Sequence, residues 1–253
     1  MLGGWIDTCV EPSNIIVVDP NAENLAVAER LGCRGHTSPA DIESSFRPDV
    51  IVLAVKPQMM ADVLPTFRMF AEGGALIISI AAGTGIAQFE SAFGTTASII
   101  RAMPNTPAAV RHGMIVCCQN GHASPEQLKI CDSLMTAIGT VAWIDDEHLM
   151  DAVTGLSGSG PAYVFYMIEA MAAAGVRAGL PKELAETLAE VTVAGAGKLA
   201  ISSDEPASTL RENVTSPNGT TAAGLAVLMA EDGLGPLIEQ TVEAATKRSR
   251  ELG

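Results

Sequence analysis

The residues best placed to do chemistry lie in one run, Leu210 to Leu228, LRENVTSPNGTTAAGLAVL. Ser216, Pro217, Asn218 and Gly219 cannot continue a helix comfortably, so the chain turns there. Thr220 or Thr221 is then in place to cap a helix through Ala222 to Met229. The first turn of such a helix leaves backbone N–H groups free, and its dipole favours negative charge. The chemistry expected is recognition of a small anion beside two hydroxyls. An ordinary capped loop uses the same residues, and the run alone leaves both readings open.

A second group of candidates needs a sheet to position it. Ile15 to Asp19 (IIVVD) is a β-branched run, followed by a helix over Asn21 to Leu31. Val50 to Val55, Ala75 to Ile80, Ser98 to Ala102 and Met114 to Cys118 read as further strands. Helical segments intervene, among them Met59 to Phe70 and Pro125 to Ile138. Apolar strands without alternation are buried on both faces, so the expected fold is α/β with a doubly wound sheet. Ligands bind such sheets beyond the C-terminal strand ends. Val55-Lys56-Pro57, Ala81-Ala82-Gly83 and Met103-Pro104-Asn105 each follow a strand there, although Pro and Gly end strands everywhere. Asp19 closes the first run, where an acidic residue commonly grips the adenine ribose of NAD. Capping of the next helix is the competing role for Asp19.

The alternation stops near Trp143-Ile144-Asp145. Beyond Asp146 the pattern is helical: Pro161 to Ala178, Pro181 to Ser202, about Thr221 to Glu231, and Pro236 to Leu252. A boundary near residue 145 therefore divides an α/β domain (1–145) from an all-helical one (146–253). Gly155 to Gly160, GLSGSG, precedes the first long helix, with Pro161 as a helix-start signal. Its glycines permit close backbone approach of a ligand or of a second helix. Pro161 to Ala174 is apolar over more than one face and wants burial on all sides, which the rest of the helical half or a partner subunit would supply.

Composition narrows the function. Of 253 residues, 48% are hydrophobic and 17% charged, so a folded core is expected. A net charge of −14 repels phosphate backbones and argues against nucleic-acid binding. Five irregularly spaced cysteines suit buried free thiols rather than a disulfide framework or zinc site. With no signal peptide and no apolar run long enough to span a bilayer, a reduced cytoplasmic protein is expected. His36, His112, His122 and His148 are scattered, and no catalytic triad, metal cluster or carboxylate pair stands out. No metal is expected.

The Leu210–Leu228 run resembles the signature of the pyrroline-5-carboxylate reductase family. The resemblance continues through Ala54-Val55-Lys56-Pro57-Gln58, Ser79-Ile80-Ala81-Ala82-Gly83, Arg101-Ala102-Met103-Pro104-Asn105-Thr106-Pro107 and Gly155-Leu156-Ser157-Gly158-Ser159-Gly160-Pro161-Ala162-Tyr163. These blocks keep the family's order and spacing. The resemblance implies a Rossmann-like domain followed by an all-α dimerisation domain. It implies NAD(P)H-dependent reduction of 1-pyrroline-5-carboxylate to L-proline, the last step of proline biosynthesis. NADPH is the expected cofactor and NADH the alternative. Hydride transfer to a cyclic imine needs orientation rather than a nucleophile, which suits the lack of a catalytic constellation.

On the same resemblance, Thr221 and Ser157 act in catalysis. Ser216, Gly219, Thr220, Thr221, Ser159 and Glu205 hold the substrate, with Glu205 near the ring nitrogen. Asp19, Val55, Lys56, Pro57, Ala82, Met103, Pro104 and Asn105 line the cofactor site. The implied assembly is a homodimer, in some relatives built further into rings of dimers.

One departure matters. Family members begin with a strand, a Gly-rich turn and a helix, whereas Met1 to Ile6 resembles the second half of that helix. A sheet without the strand leaves Ile15–Asp19 and Val50–Val55 with unpaired edges, and dinucleotide binding is expected to be poor. A start placed too far downstream or a truncated chain are the simplest accounts. The alternatives for function are a related imine reductase, or a dimeric binding protein that kept the substrate pocket and lost the cofactor site.

Overall fold

The computed structural model describes residues 1–43 and 45–252. The chain forms two compact units, one of Met1–Gly158 joined by the chain from Ala245 onward, the other Ser159–Ala244. The division therefore falls beyond the boundary expected at residue 145. The segment after the last strand still packs on the first unit: Met150 is buried in its core. The end of the last helix also returns there, where the Ser249 hydroxyl donates to Asp151 at 2.7 Å.

Among the described residues the first unit holds seven strands: β1 (Ile16–Val18), β2 (Arg34–His36), β3 (Val50–Leu53), β4 (Leu76–Ser79), β5 (Ile99–Met103), β6 (Gly113–Gln119) and β7 (Gly139–Trp143). Helices α1 (Leu2–Thr8), α2 (Ala22–Arg30), α3 (Met60–Val63), α4 (Arg68–Glu72), α5 (Ile86–Phe93), α6 (Pro125–Thr136) and α7 (Met150–Val153) alternate with them. The doubly wound architecture is as expected. Sequence reading missed β2, which is three residues of RGH, and β7, an edge strand whose residues are only half-buried or exposed. The helix expected over Met59 to Phe70 is broken into α3, a 3-10 turn at Leu64–Phe67 and α4. Pro65 lacks the N–H that a continuous helix would use there.

The strands form two sheets. β1 pairs with β2 in parallel, and β3-β4-β5-β6-β7 make a separate sheet of five. Among the described residues no ladder joins β1 to β3, so the sheet is open at the place where the unpaired edges were expected. The larger sheet is parallel except between β5 and β6. The link from Met103 to Gly113 is too short for a crossover helix, so β6 returns antiparallel. β6 and β7 approach closely where Gly113 faces Gly139: a Cβ on Gly139 would lie 2.0 Å from the Gly113 carbonyl oxygen.

Each face of this sheet carries its own core. Ile51, Leu53, Ile77, Ile99 and Cys118 pack beneath Met60, Phe70 and Phe89. Leu76, Ile78, Ile100, Ile115 and Cys117 pack on Leu134, Met135 and Ile138, with Trp5 of α1 alongside. Adjacent residues on each strand supply opposite cores, which is the alternation that hydrophobicity alone hides when both faces are covered. Trp5 also donates its indole N–H to the Leu134 carbonyl at 2.8 Å, fixing α1 to α6.

The second unit is helical: α8 (Gly160–Arg177), α9 (Lys182–Ser202), α10 (Ala207–Asn213), α11 (Thr220–Leu228) and the first part of α12 (Leu234–Leu252). Small residues, Ala172, Ala185 and Ala189, are buried, consistent with close packing of α8 on α9. Large ones are not: Phe165 is 61% exposed, Tyr166 70%, Val191 66% and Val227 72%. A single chain therefore leaves extensive apolar helix faces open, the signature of an interaction surface. Among the described residues no helix is long and apolar enough to cross a membrane.

Candidate active site

The C-terminal ends of β3, β4 and β5 share one edge because these strands run parallel. Val55 and Pro57 are half-buried beyond β3, and Lys56 between them is exposed at the start of a 3-10 turn. Beyond β4 the buried Ser79 hydroxyl accepts from the Ala81 N–H at 3.3 Å, shaping the loop that carries Ala82. Gly83 ends that loop with φ +75°, a conformation other residues reach only under strain. Met103, Pro104 and Asn105 leave β5 half-buried. Seven predicted residues thus stand on one sheet edge, Asn105 among them, and its Nδ2 donates to the Ser157 carbonyl at 3.2 Å.

Asp19 is differently placed. It follows β1, in the other sheet, and its carboxylate oxygens accept from the Asn21 N–H and from Asn24 Nδ2, both at 2.8 Å. Asn21, not Asp19, is the cap of α2, accepting from the Glu23 N–H at 2.8 Å. Asp19 therefore organises the turn into α2, and each oxygen keeps acceptor capacity for a hydroxyl.

In the second unit the Ser216–Gly219 turn forms as expected. The Gly219 N–H donates to the Ser216 carbonyl at 3.0 Å, and Asn218 takes φ +59°, which Asn tolerates better than most residues. The expected threonine cap is corrected: α11 begins at Thr220, its cap residue is Gly219, and no side chain closes it. Gly219 takes the extended cap conformation itself, so both threonines fall inside the first turn. Thr220 and Thr221 are exposed, and among the described residues neither hydroxyl bonds within the chain. The turn thus presents free N–H groups with two uncommitted hydroxyls. Glu205 is exposed and accepts from Asn213 Nδ2 at 3.1 Å. Ser159 precedes α8 and makes no capping bond.

Two features were not read from the sequence. Thr154–Gly158 is a π-helical turn, so Ser157 sits in a widened loop. Arg101, on β5, pairs with Glu147. Nothing in the spacing of two residues so far apart signals that contact. Four thiols are buried and Cys9 is exposed; a hydrogen bond to Cys131 and burial push Cys117 up, and burial pushes Cys33 and Cys118 up. A cleft between α6 and the ends of β6 and β7 lies elsewhere and includes none of the predicted residues.

A Rossmann-like sheet with its loops gathered at one edge, followed by helices with open apolar faces, is the architecture of a dinucleotide-binding oxidoreductase with a helical interaction unit. Residues 1–83 match the family described as NADP oxidoreductase coenzyme F420-dependent, and residues 147–252 match that of pyrroline-5-carboxylate reductase dimerisation. The chain is 43% identical to the pyrroline-5-carboxylate reductase of Synechocystis sp., over 96% of its own length and 89% of the relative's. It is 39% identical to that of Pseudomonas aeruginosa, over 100% and 92%. Its fold is similar to the Coxiella burnetii pyrroline-5-carboxylate reductase (TM-score 0.92, 35% identity, covering 100% of this chain and 93% of that one). It is also similar to the Plasmodium falciparum pyrroline carboxylate reductase with NADP bound (TM-score 0.85, 30% identity, covering 100% and 92%). The chain belongs to the pyrroline-5-carboxylate reductase family. The match of residues 147–252 to a dimerisation family supports a homo-oligomer.

Proposed function

We propose that this chain reduces 1-pyrroline-5-carboxylate to L-proline with NADPH as cofactor and NADH as the alternative. The observation that carries the reading is the Ser216–Thr221 turn, whose free N–H groups and uncommitted hydroxyls suit a small carboxylate. The loops after β3, β4 and β5 suit the nicotinamide and its ribose, since three separate segments reach one edge. A bound reduced dinucleotide supplies the hydride, and the protein's task is to hold the acceptor carbon in range.

The residues divide as follows. Thr221, with Thr220, Gly219 and Ser216, holds the carboxylate; Ser157 and Ser159 flank the reacting ring; Glu205 faces the ring nitrogen. Val55, Lys56, Pro57, Ala82, Met103, Pro104 and Asn105 wall the cofactor, and Asp19 meets the adenine ribose. Residues 1–145 form the dinucleotide-binding portion and 146–253 the dimerisation and substrate portion. The working unit is a homodimer, with a ring of dimers as the larger assembly, in the cytoplasm. Free cysteines suit that compartment.

The alternative is a dimeric binding protein for proline-like ligands without turnover, since the turn at the start of α11 by itself suits a carboxylate. Titration of the purified chain with NADPH and NADH, followed by turnover of pyrroline-5-carboxylate, separates the two. Saturable dinucleotide binding with turnover supports the reductase. Binding of proline or a ring analogue with no dinucleotide-dependent turnover overturns it.

A further inference from the structure

Asn105 stands where three segments meet. Its Oδ1 accepts from the Met114 N–H at 2.9 Å, at the start of β6. Its Nδ2 reaches the π-turn, 3.2 Å from the Ser157 carbonyl oxygen and 3.4 Å from Ser157 Oγ. The π-turn is pressed against the end of β5 at the same place: a Cβ on Gly158 would lie 2.5 Å from Met103 Cε. The amide is thus committed to the protein at both ends. That leaves it poorly suited to serve as a direct hydrogen-bonding contact to the nicotinamide.

We infer that Asn105 is a positioning residue that acts through Ser157. A serine hydroxyl has one hydrogen and two acceptor lone pairs. Where Oγ accepts from Asn105, the hydroxyl hydrogen is left for a further acceptor. The acceptor fitted to it is an oxygen of the bound ligand, either the imino-acid carboxylate or the nicotinamide carboxamide. π-turns recur at functional sites because they displace one side chain from the helical register, and here that displaced stretch carries Ser157. The inference rests on the reductase reading for its ligand, but the Asn105–Ser157 link stands on the geometry.

The test uses Asn105→Asp. Asp keeps the shape and still accepts from Met114, but has no amide donor and turns a negative oxygen toward the Ser157 carbonyl. Hydrogen exchange in the folded chain is expected to quicken about tenfold or more across residues 154–158, with β5 and β6 unchanged. Unchanged exchange there overturns the positioning role, whether or not the chain turns over substrate.

The second arm is a double-mutant cycle on pyrroline-5-carboxylate reduction. Asn105→Asp and Ser157→Ala are each expected to lower kcat/KM about 10- to 100-fold, and the double variant no further than the worse single one. A merely structural staple gives multiplying effects, and that outcome overturns the route through the hydroxyl. A rise in substrate KM assigns the acceptor to the imino acid; a weakened NADPH Kd assigns it to the carboxamide. Absence of turnover in the unaltered chain would sink the reductase reading while the exchange experiment still judges Asn105.

Discussion

The Glu147 carboxylate lies 2.5 Å from the Arg101 guanidinium, and the same oxygen accepts from the Ile86 N–H at 2.7 Å. One side chain thus ties β5 to the free start of α5. The Arg101 side chain is only 12% exposed, so removing its partner leaves a largely desolvated cation. Glu147→Ala is expected to lower stability by about 2–4 kcal/mol. Glu147→Gln should cost less, because its amide oxygen still accepts from Ile86. Denaturant midpoints check this, and equal losses for the two variants would refute the shared role.

Thr221→Ala removes one of the two uncommitted hydroxyls at the start of α11. If that hydroxyl binds the substrate carboxylate, KM should rise by about 10- to 150-fold, the equivalent of about 1.5–3 kcal/mol for a hydrogen bond to a charged group. Stability should hardly change, since the side chain is exposed and makes no bond within the described chain. Steady-state kinetics with pyrroline-5-carboxylate decide it: an unchanged KM removes Thr221 from the site.

Asp19→Ser tests the adenine end of the cofactor site. Serine can still accept from the Asn21 N–H, so the turn into α2 survives, but the negative charge is gone. The ratio of kcat/KM for NADPH over NADH is expected to rise about tenfold, as like-charge repulsion of a 2′-phosphate is relieved. A constant ratio would mean that Asp19 only organises the turn.

The cysteines predict a pH dependence. Cys33, Cys117 and Cys118 hold their protons more tightly in the folded chain than unfolded. Above the ordinary thiol range, roughly pH 8.5, the unfolded chain binds fewer protons than the folded one, so stability falls as pH rises. Unfolding midpoints should decline between about pH 8 and pH 10. At pH 8 the folded chain should label quickly at Cys9, the exposed thiol, and the other four only on unfolding. Rapid labelling of a second thiol would contradict this placement.

Much of the fold was legible because its signals are local. The β-branched runs at Ile16, Val50, Leu76 and Ile99 became strands, and the segment from Pro125 became helix α6. β2 and β7 were missed because neither is a buried apolar run, and pairing rather than composition makes them strands. The threonine cap failed for a related reason. Capping depends on which residue adopts the extended backbone conformation, and Gly219 does so without a side chain.

By itself, the sequence determined the order of the elements, the three loops beyond the parallel strands, and the turn at Ser216–Gly219. These follow from apolar runs and from Pro, Gly and Asn geometry over short distances. Only the tertiary structure decided that Asn105 spends its amide on Met114 and Ser157, that Glu147 answers Arg101, and that the last residues of α12 return to the first unit. Those relationships join residues far apart in the chain. They arise from the desolvation of polar groups that must find a partner wherever packing places one.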